Sequence, residues 1–389
     1  MILETAVKVL ESGYVCDYCL GRQFAKLGSG CSDMERGRII RGFLSMEHEA
    51  GKTGADSSNF RNPKGKKCTI CGNVFERIPE MVRDIIKKTK NMDFESFLTG
   101  VKMNDSLVMN EEALFERAGM KYSEPVKSEI SGRIAKLLAE KTGKKISHDR
   151  PDALFIFDLQ NMQTEIISSS LFVYGEYKKF VRGLPQSSSP RYKQTVQDII
   201  SGPLLKATKA SSDALHALGR EDKDARCLVW RPFILELKQP VRRKIELNGV
   251  KKRINMSKKV KVNKLRFADR KEIASLKARR PFKVYSITVD FEKPVERIGQ
   301  AKKLVGIVKQ RTPSRVLSTK PDKAKNKKVK SIKWKRINNI RYRFEITAES
   351  GLYIKELVSG DSGRTNPSVS KVLGNQANIK EFDLVGLKE

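Results

Sequence analysis

The chain has 389 residues, 39% hydrophobic and 32% charged, and its 78 Lys and Arg outweigh 45 Asp and Glu for a formal charge of +33. That length suits two or three domains, and that charge points to a polyanionic partner, nucleic acid before an anionic membrane. No stretch reaches the roughly 18–20 apolar residues of a membrane helix, and Met1-Ile2-Leu3-Glu4-Thr5 lacks the basic start of a signal peptide, so a soluble cytoplasmic protein is expected.

The first 75 residues carry two pairs, Cys16-Asp17-Tyr18-Cys19 and Cys68-Thr69-Ile70-Cys71, each followed closely by a glycine, Gly21 or Gly72. Inside a cell such pairs read as metal ligands rather than disulfides. Four thiolates on two short knuckles match tetrahedral structural zinc, and a glycine there lets the chain turn around the metal. The 48 residues between Cys19 and Cys68 (20–67) exceed the roughly 15–20 of a compact ribbon, so an insertion is expected, helical over 34–50. Cys31 lies between the pairs without a partner.

Residues 76–190 read as an α/β module. Amphipathic helices are predicted over 75–89 and 127–144, and strands at 153–157, 165–167 and 171–174. Beyond Gly175, aromatic and basic residues interleave: Tyr177, Lys178, Lys179 and Arg182. That pattern suits base stacking beside phosphate contacts, or an ordinary amphipathic edge. Ser187-Ser188-Ser189-Pro190 reads as a linker.

Residues 191–389 open with a helix over 196–205 that Pro203 should end or kink. The stretch Gly219-Arg220-Glu221-Asp222-Lys223-Asp224-Ala225-Arg226 follows. A glycine before a charged turn marks tight backbone, and a carboxylate between arginines is favoured in its ionised form. The stretch is either a solvated charge cluster or a nucleophile. Strands are expected at 231–237, 282–289 and 342–346, and a turn into a strand or helix at 350–357. Residues 320–336 hold nine basic residues and one acid, which reads as a flexible basic loop meeting phosphate, with Lys327 and Lys328 as contacts. No nucleotide-binding glycine loop or HExxH helix is present, so no organic cofactor is expected.

The order Gly219-Arg220-Glu221-Asp222, Lys283-Val284-Tyr285, Gly351-Leu352-Tyr353-Ile354-Lys355-Glu356-Leu357 resembles the motif series of pseudouridine synthases. The chain is most similar to the archaeal tRNA pseudouridine-54/55 synthases, the tenth Pus family. Arg182-Gly183, Arg231-Pro232-Phe233, Gln310-Arg311-Thr312-Pro313 with Arg315, and Gly363-Arg364-Thr365 extend the likeness. The resemblance implies an α+β architecture: a zinc-bearing, THUMP-like α/β RNA-binding region, then a catalytic domain with a mixed, mainly antiparallel sheet flanked by helices and loops. It implies isomerisation of T-arm uridine in tRNA at position 54, 55 or both. Asp222 would be the nucleophile, Lys355 and Arg220 its basic neighbours, Tyr285 the residue beside the base and Leu357 an apolar floor. Arg311, Arg315 and Arg364 would meet RNA. Cys227-Leu228-Val229-Trp230 departs from the family's Leu-Gly-x-Gly, so a different turn is expected after Arg226. A monomer is expected. The competing reading is an inactive zinc-containing tRNA- or rRNA-binding accessory protein.

Overall fold

A computed structural model describes residues 2–51, 60 and 65–388. Residues 52–59 and 61–64 of the expected insertion lie outside the described residues. The chain forms two compact units, Met1–Ser169 and Ser170–Glu389.

In the first unit, α1 (Ile2–Leu10), α2 (Asp17–Gly21) and α3 (Asp33–Glu49) precede the second knuckle. Then come α4 (Ile78–Thr89), β1 (Ser96–Lys102), α5 (Asp105–Ala118), α6 (Val126–Thr142), β2 (Lys145–Ile146), β3 (Ala153–Asp158) and β4 (Gln163–Ser168). The sheet runs β2-β1-β3-β4, parallel except for β4. α3 is the expected inserted helix, and Ser32 and Glu35 close its start as a capping box.

One core extends from Ala6 to Leu159 and takes in Cys19, Cys68 and Cys71. Arg22, fully buried just after the first knuckle, binds Glu111 of α5 at 2.6 Å and the Glu124 carbonyl at 2.9 Å. The expected region 1–75 and the part of 76–190 that lies in this unit therefore share one interior. Gly21 does not turn the chain as expected, since its φ of −64° is helical. It lets α2 and α3 touch: a Cβ there would lie 1.8 Å from the Asp33 carbonyl, and one on Gly37 would lie 1.9 Å from that of Asp17. Gly72, at φ +59°, is the knuckle glycine that needs the left-handed region.

The second unit contains β5 (Leu171–Lys179), α7 (Val196–Thr208), β6 (Ser212–Ala217), β7 (Arg226–Lys238), α8 (Leu247–Asn255), β8 (Val260–Ala268), α9 (Lys271–Ala278) and β9 (Phe282–Phe291). It continues with β10 (Gly306–Arg311), β11 (Ala324–Arg336), β12 (Arg341–Ala348), α10 (Ile354–Ser359), β13 (Thr365–Asn366), α11 (Val369–Leu373) and β14 (Ala377–Lys388). The ten strands run β13-β10-β11-β12-β9-β14-β7-β5-β8, with β6 also on β7, and only the β14–β7 pair is parallel. This is the mixed, mainly antiparallel sheet that the family resemblance implied. β9, FKVYSITVDF, turns Tyr285, Ile287, Val289 and Phe291 into the core, while Ser286, Thr288 and Asp290 alternate with them on the other face.

Four expectations change. The boundary near 190 moves back to 169–170, because β5 pairs with β7 and β8 of the second unit. Ser187–Pro190 is no linker within that unit: the Ser188 amide donates to Gln197 and its hydroxyl to Asp198, so the segment collars the start of α7. α7 passes through Pro203 to Thr208. The basic stretch 320–336 is largely strand β11, held between β10 and β12. Its alternation was masked because few apolar side chains turn inward, Val329 and Ile332 among them, and a bulge between Val329 and Ser331 breaks the period of two.

β7 explains where the site lies. β5 runs along one of its edges, while the other is shared end to end, by β6 on 233–238 and by β14 on 226–227. The loop 218–225, joining β6 to β7, therefore emerges where the two halves of the sheet part.

Candidate functional site

The loop is built on Gly219, whose φ of +71° lies in the left-handed region that favours glycine. Glu221 turns inward from it and Asp222 outward. The Glu221 carboxylate is buried and accepts from Tyr177 Oη at 2.8 and 2.9 Å, from Gln186 Nε2 at 3.2 Å and from Arg231, itself 1% exposed. Gln186 also donates to the Gly219 carbonyl at 3.1 Å. Lys179, fully buried, donates to the carbonyls of Leu184 at 2.8 Å, Lys223 at 3.1 Å and Asp222 at 3.3 Å. Burial lowers its pKa below the ordinary lysine range. Arg182 braces the far side through the Asp224 carbonyl at 3.1 Å and Asp383 at 2.8 Å.

Above this frame the Asp222 carboxylate faces two cations, Lys355 Nζ at 3.3 Å and Arg315 Nη2 at 3.7 Å. Lys355 stands at the start of α10 and also binds Asp224 at 2.8 Å. Partial burial works against the Lys355 ammonium, but the Asp224 bond and the field of Asp222 push its pKa up. The Lys355 bond in turn holds the Asp224 carboxyl below its usual range. Asp224 thus pairs with Lys355.

Tyr285 on β9 stacks on Phe382, with ring centres 5.5 Å apart, and burial pushes its phenol up to about 12. It and the fully buried Leu357 belong to one core cluster, which also contains Ala225 of the loop. Lys283, two residues before Tyr285, shares its face of β9. Its amine would lie 3.1 Å from a Cβ on Gly219, and burial, then the charge of Arg231, pull its pKa down to about 8. Cys227–Trp230, the departure from the family pattern, form the start of β7 rather than a turn.

Several expected RNA contacts have other positions. Tyr177 and Lys179 are buried beneath the loop and cannot reach a nucleic acid, because β5 is an interior strand and both side chains face the α7 side of the core. Arg182 is engaged under the loop, and Arg220 is exposed and takes no part in the ion pairs of Asp222. Arg315 points to the Asp222 carboxylate. Lys178 lies 4.8 Å from the Trp230 ring. Arg364 and Arg311 both bind Asp322, at 2.5 and 2.8 Å, and Lys327 binds Glu349 at 2.6 Å. Lys328 is exposed beside Lys330, Lys333 and Lys335 on β11, with Arg343 on β12 opposite Lys335. Glu221, Gln186 and Lys283 were the functional neighbours not singled out, although Glu221 and Lys283 each sit inside a motif that was.

In the first unit, the sulfur atoms of Cys16, Cys19, Cys68 and Cys71 all lie within 4.8 Å of one another, and Cys16 and Cys71 are 3.6 Å apart. Sulfurs bound tetrahedrally at about 2.3 Å from zinc stand about 3.8 Å apart. The Cys16 amide donates to Cys68 Sγ at 3.3 Å, and side-chain hydrogen bonds from the neighbouring cysteines, that of the Cys16 thiol first, drive the Cys68 thiol down toward thiolate. Buried sulfurs with a backbone donor fit a closed metal site, one that could hold an ion without an open position.

The family model described as Pus10, C-terminal, matches residues 172–388, and that described as Pus10 THUMP domain, archaeal, matches residues 81–158. The chain belongs to the Pus10 family of tRNA pseudouridine synthases. The tRNA pseudouridine synthase Pus10 of Methanothrix thermoacetophila is 33% identical, covering 99% of this chain and 94% of that protein. The Pus10 of Pyrococcus furiosus is 35% identical, covering 99% and 97%. Among solved structures, a Cbf5-Nop10-Gar1 complex matches with a TM-score of 0.33 and 17% identity, over 55% of this chain and 48% of that one. The THUMP match falls within the first unit and the C-terminal match within the second. No described helix is long and apolar enough to cross a membrane.

Proposed function

We propose that this chain isomerises uridine to pseudouridine in the T arm of tRNA, at position 54, 55 or both, with Asp222 as nucleophile. The observation that carries the reading is the meeting of Asp222 with Lys355 and Arg315 above a buried frame that holds its backbone. The target base must leave its stack, at a cost of a few kcal/mol. Asp222 then opens the glycosidic bond, the base turns, C5 joins C1′, and the proton lost from C5 is matched by one gained at N1. Tyr285, a neutral phenol at physiological pH, offers an aromatic face to the base. Leu357 excludes water below it.

The first unit holds tRNA by shape and phosphate, as structured RNA is mostly read, and its cysteine cluster carries structural zinc. The exposed lysines of β11 and Arg343 supply phosphate contacts on the second unit. The chain works as a cytoplasmic monomer.

The test is to incubate a tRNA transcript with wild type and Asp222→Ala and to map pseudouridine chemically. Product at 54 or 55 from wild type alone is expected. Equal product from both would remove Asp222 from the role, and product only outside the T arm would overturn the site.

A further inference from the structure

Five side chains across the site form a row of alternating charge: Asp224, Lys355, Asp222, Arg315, Glu356. The distances within it are uneven. Lys355 Nζ is 2.8 Å from Asp224 and 3.3 Å from Asp222. Arg315 Nε is 2.7 Å from Glu356, whereas its Nη2 is 3.7 Å from Asp222. Both cations approach the same Asp222 oxygen, Oδ2, while Oδ1 accepts from the Asp224 amide at 3.2 Å. Each cation is therefore bound tightly by an outer carboxylate and only loosely by the central one.

That difference has chemical weight. Coulomb attraction falls only as the inverse of distance, but hydrogen bonding weakens steeply beyond about 3.2 Å. Asp222 lies in the field of two cations without the short, charge-assisted bonds that would bury its lone pairs in a resting ion pair. Interactions of that kind stabilise the ground state, and only those stronger in the transition state accelerate the reaction. Glu356 suits the part of an anchor: its side chain is 6% exposed, and its second oxygen, Oε2, is buried with no partner among the described residues. Arg315 is 45% exposed and would be free to swing without that anchor.

We propose that Asp224 and Glu356 are positioning residues that hold Lys355 and Arg315 back from Asp222, leaving its carboxylate available for attack. The inference rests on Asp222 being the nucleophile. When either outer carboxylate is neutralised, its cation closes on Asp222.

The experiment uses the full chain, a tRNA transcript, single-turnover rates, tRNA dissociation constants and melting temperatures, with Asp222→Asn run in parallel. Asp224→Asn and Glu356→Gln should each lower the rate at least tenfold, leave the dissociation constant within twofold of wild type and melt with it. Asp224→Glu should recover much of the rate. The decisive variant is Glu356→Gln/Arg315→Gln: with the released cation gone, it should be faster than Glu356→Gln alone. Wild-type rates in Asp224→Asn and Glu356→Gln, or a double variant no faster than Glu356→Gln, overturn the proposal. An active Asp222→Asn would instead overturn the assignment on which it stands.

Discussion

The ammonium of Lys179 lies 3.3 Å from the carbonyl oxygen of Asp222, although its own side chain is fully buried. It also binds the carbonyls on either side of the loop crossing, Leu184 and Lys223. A cation in that place gathers three backbone oxygens, two of which, those of Asp222 and Lys223, also accept from the amides of Ala225 and Gly183. Lys179→Met would remove the clasp from all three and leave the Leu184 carbonyl without its donor, and a buried unsatisfied group costs about 1–3 kcal/mol. Because Lys179 cannot touch RNA, the loss should appear in the rate of isomerisation, more than tenfold, with tRNA affinity unchanged. Single-turnover kinetics beside filter binding separates the two.

Glu221 and Arg231 make the deepest ion pair of the second unit, with side chains 2% and 1% exposed. Breaking one partner of such a pair typically costs about 3–5 kcal/mol, because the other is left charged and buried. Glu221→Gln should therefore destabilise the second unit by about that amount in denaturant titration. Replacing both, Glu221→Gln with Arg231→Met, should recover part of the stability. It should not recover activity, since the Glu221 carboxylate ties Tyr177 and Arg231 to the loop, and its loss leaves Gln186 a single bond to the loop, that to the Gly219 carbonyl.

The sequence made some of this legible and hid the rest for identifiable reasons. The knuckles were visible from their spacing, whereas Asp222, Lys355 and Tyr285 stood out only through a motif order that resembles the pseudouridine synthases. Tyr177 and Lys179 were read as RNA contacts because aromatic and basic residues in alternation look the same on a surface and over a buried frame. What separates them is Gly175: a Cβ there would lie 2.6 Å from Leu265 and 2.7 Å from Phe233, so β5 is crowded on both sides and its neighbours face inward. That crowding comes from strands far along the chain, and no local pattern reports it. The pairing of Arg315 with Asp222 likewise joins segments that share no periodicity. β11 was taken for a loop because charge density outweighed its alternation.

The cysteine cluster should make metal content a condition for the first unit's stability. Cys19, Cys68 and Cys71 lie in the same core as Val82, Phe97 and Phe155. Structural zinc contributes folding free energy directly. One equivalent of zinc should accompany the purified protein, and chelation should release it. Hydrogen exchange on the full chain should then show lost protection in α1, α2 and α4, while β7 and β9 stay protected. Cys68→Ser should reproduce the effect without chelator. Unchanged exchange after complete zinc release would show that the thiols alone hold the knuckles.

Lys283 should give the second unit a characteristic pH response. Its amine has no hydrogen-bond acceptor or ion pair among the described residues, and its pKa falls from 10.5 to about 8 through burial and the charge of Arg231. Between pH 8 and 10.5 the unfolded chain holds a proton that the folded one has released, so stability rises with pH across that window. Below pH 8 the folded protein carries the full penalty of a buried charge, about 3 kcal/mol for a shift of this size. Lys283→Met should therefore be the more stable protein at pH 7, by up to about that amount. The gap should shrink steadily as the pH climbs toward 10, where the wild-type amine is already neutral. Denaturant titrations of both proteins from pH 7 to pH 10 measure it, and the difference between them cancels groups that titrate in both. A gap independent of pH would mean that Lys283 keeps its proton and that its amine finds an anionic partner in solution.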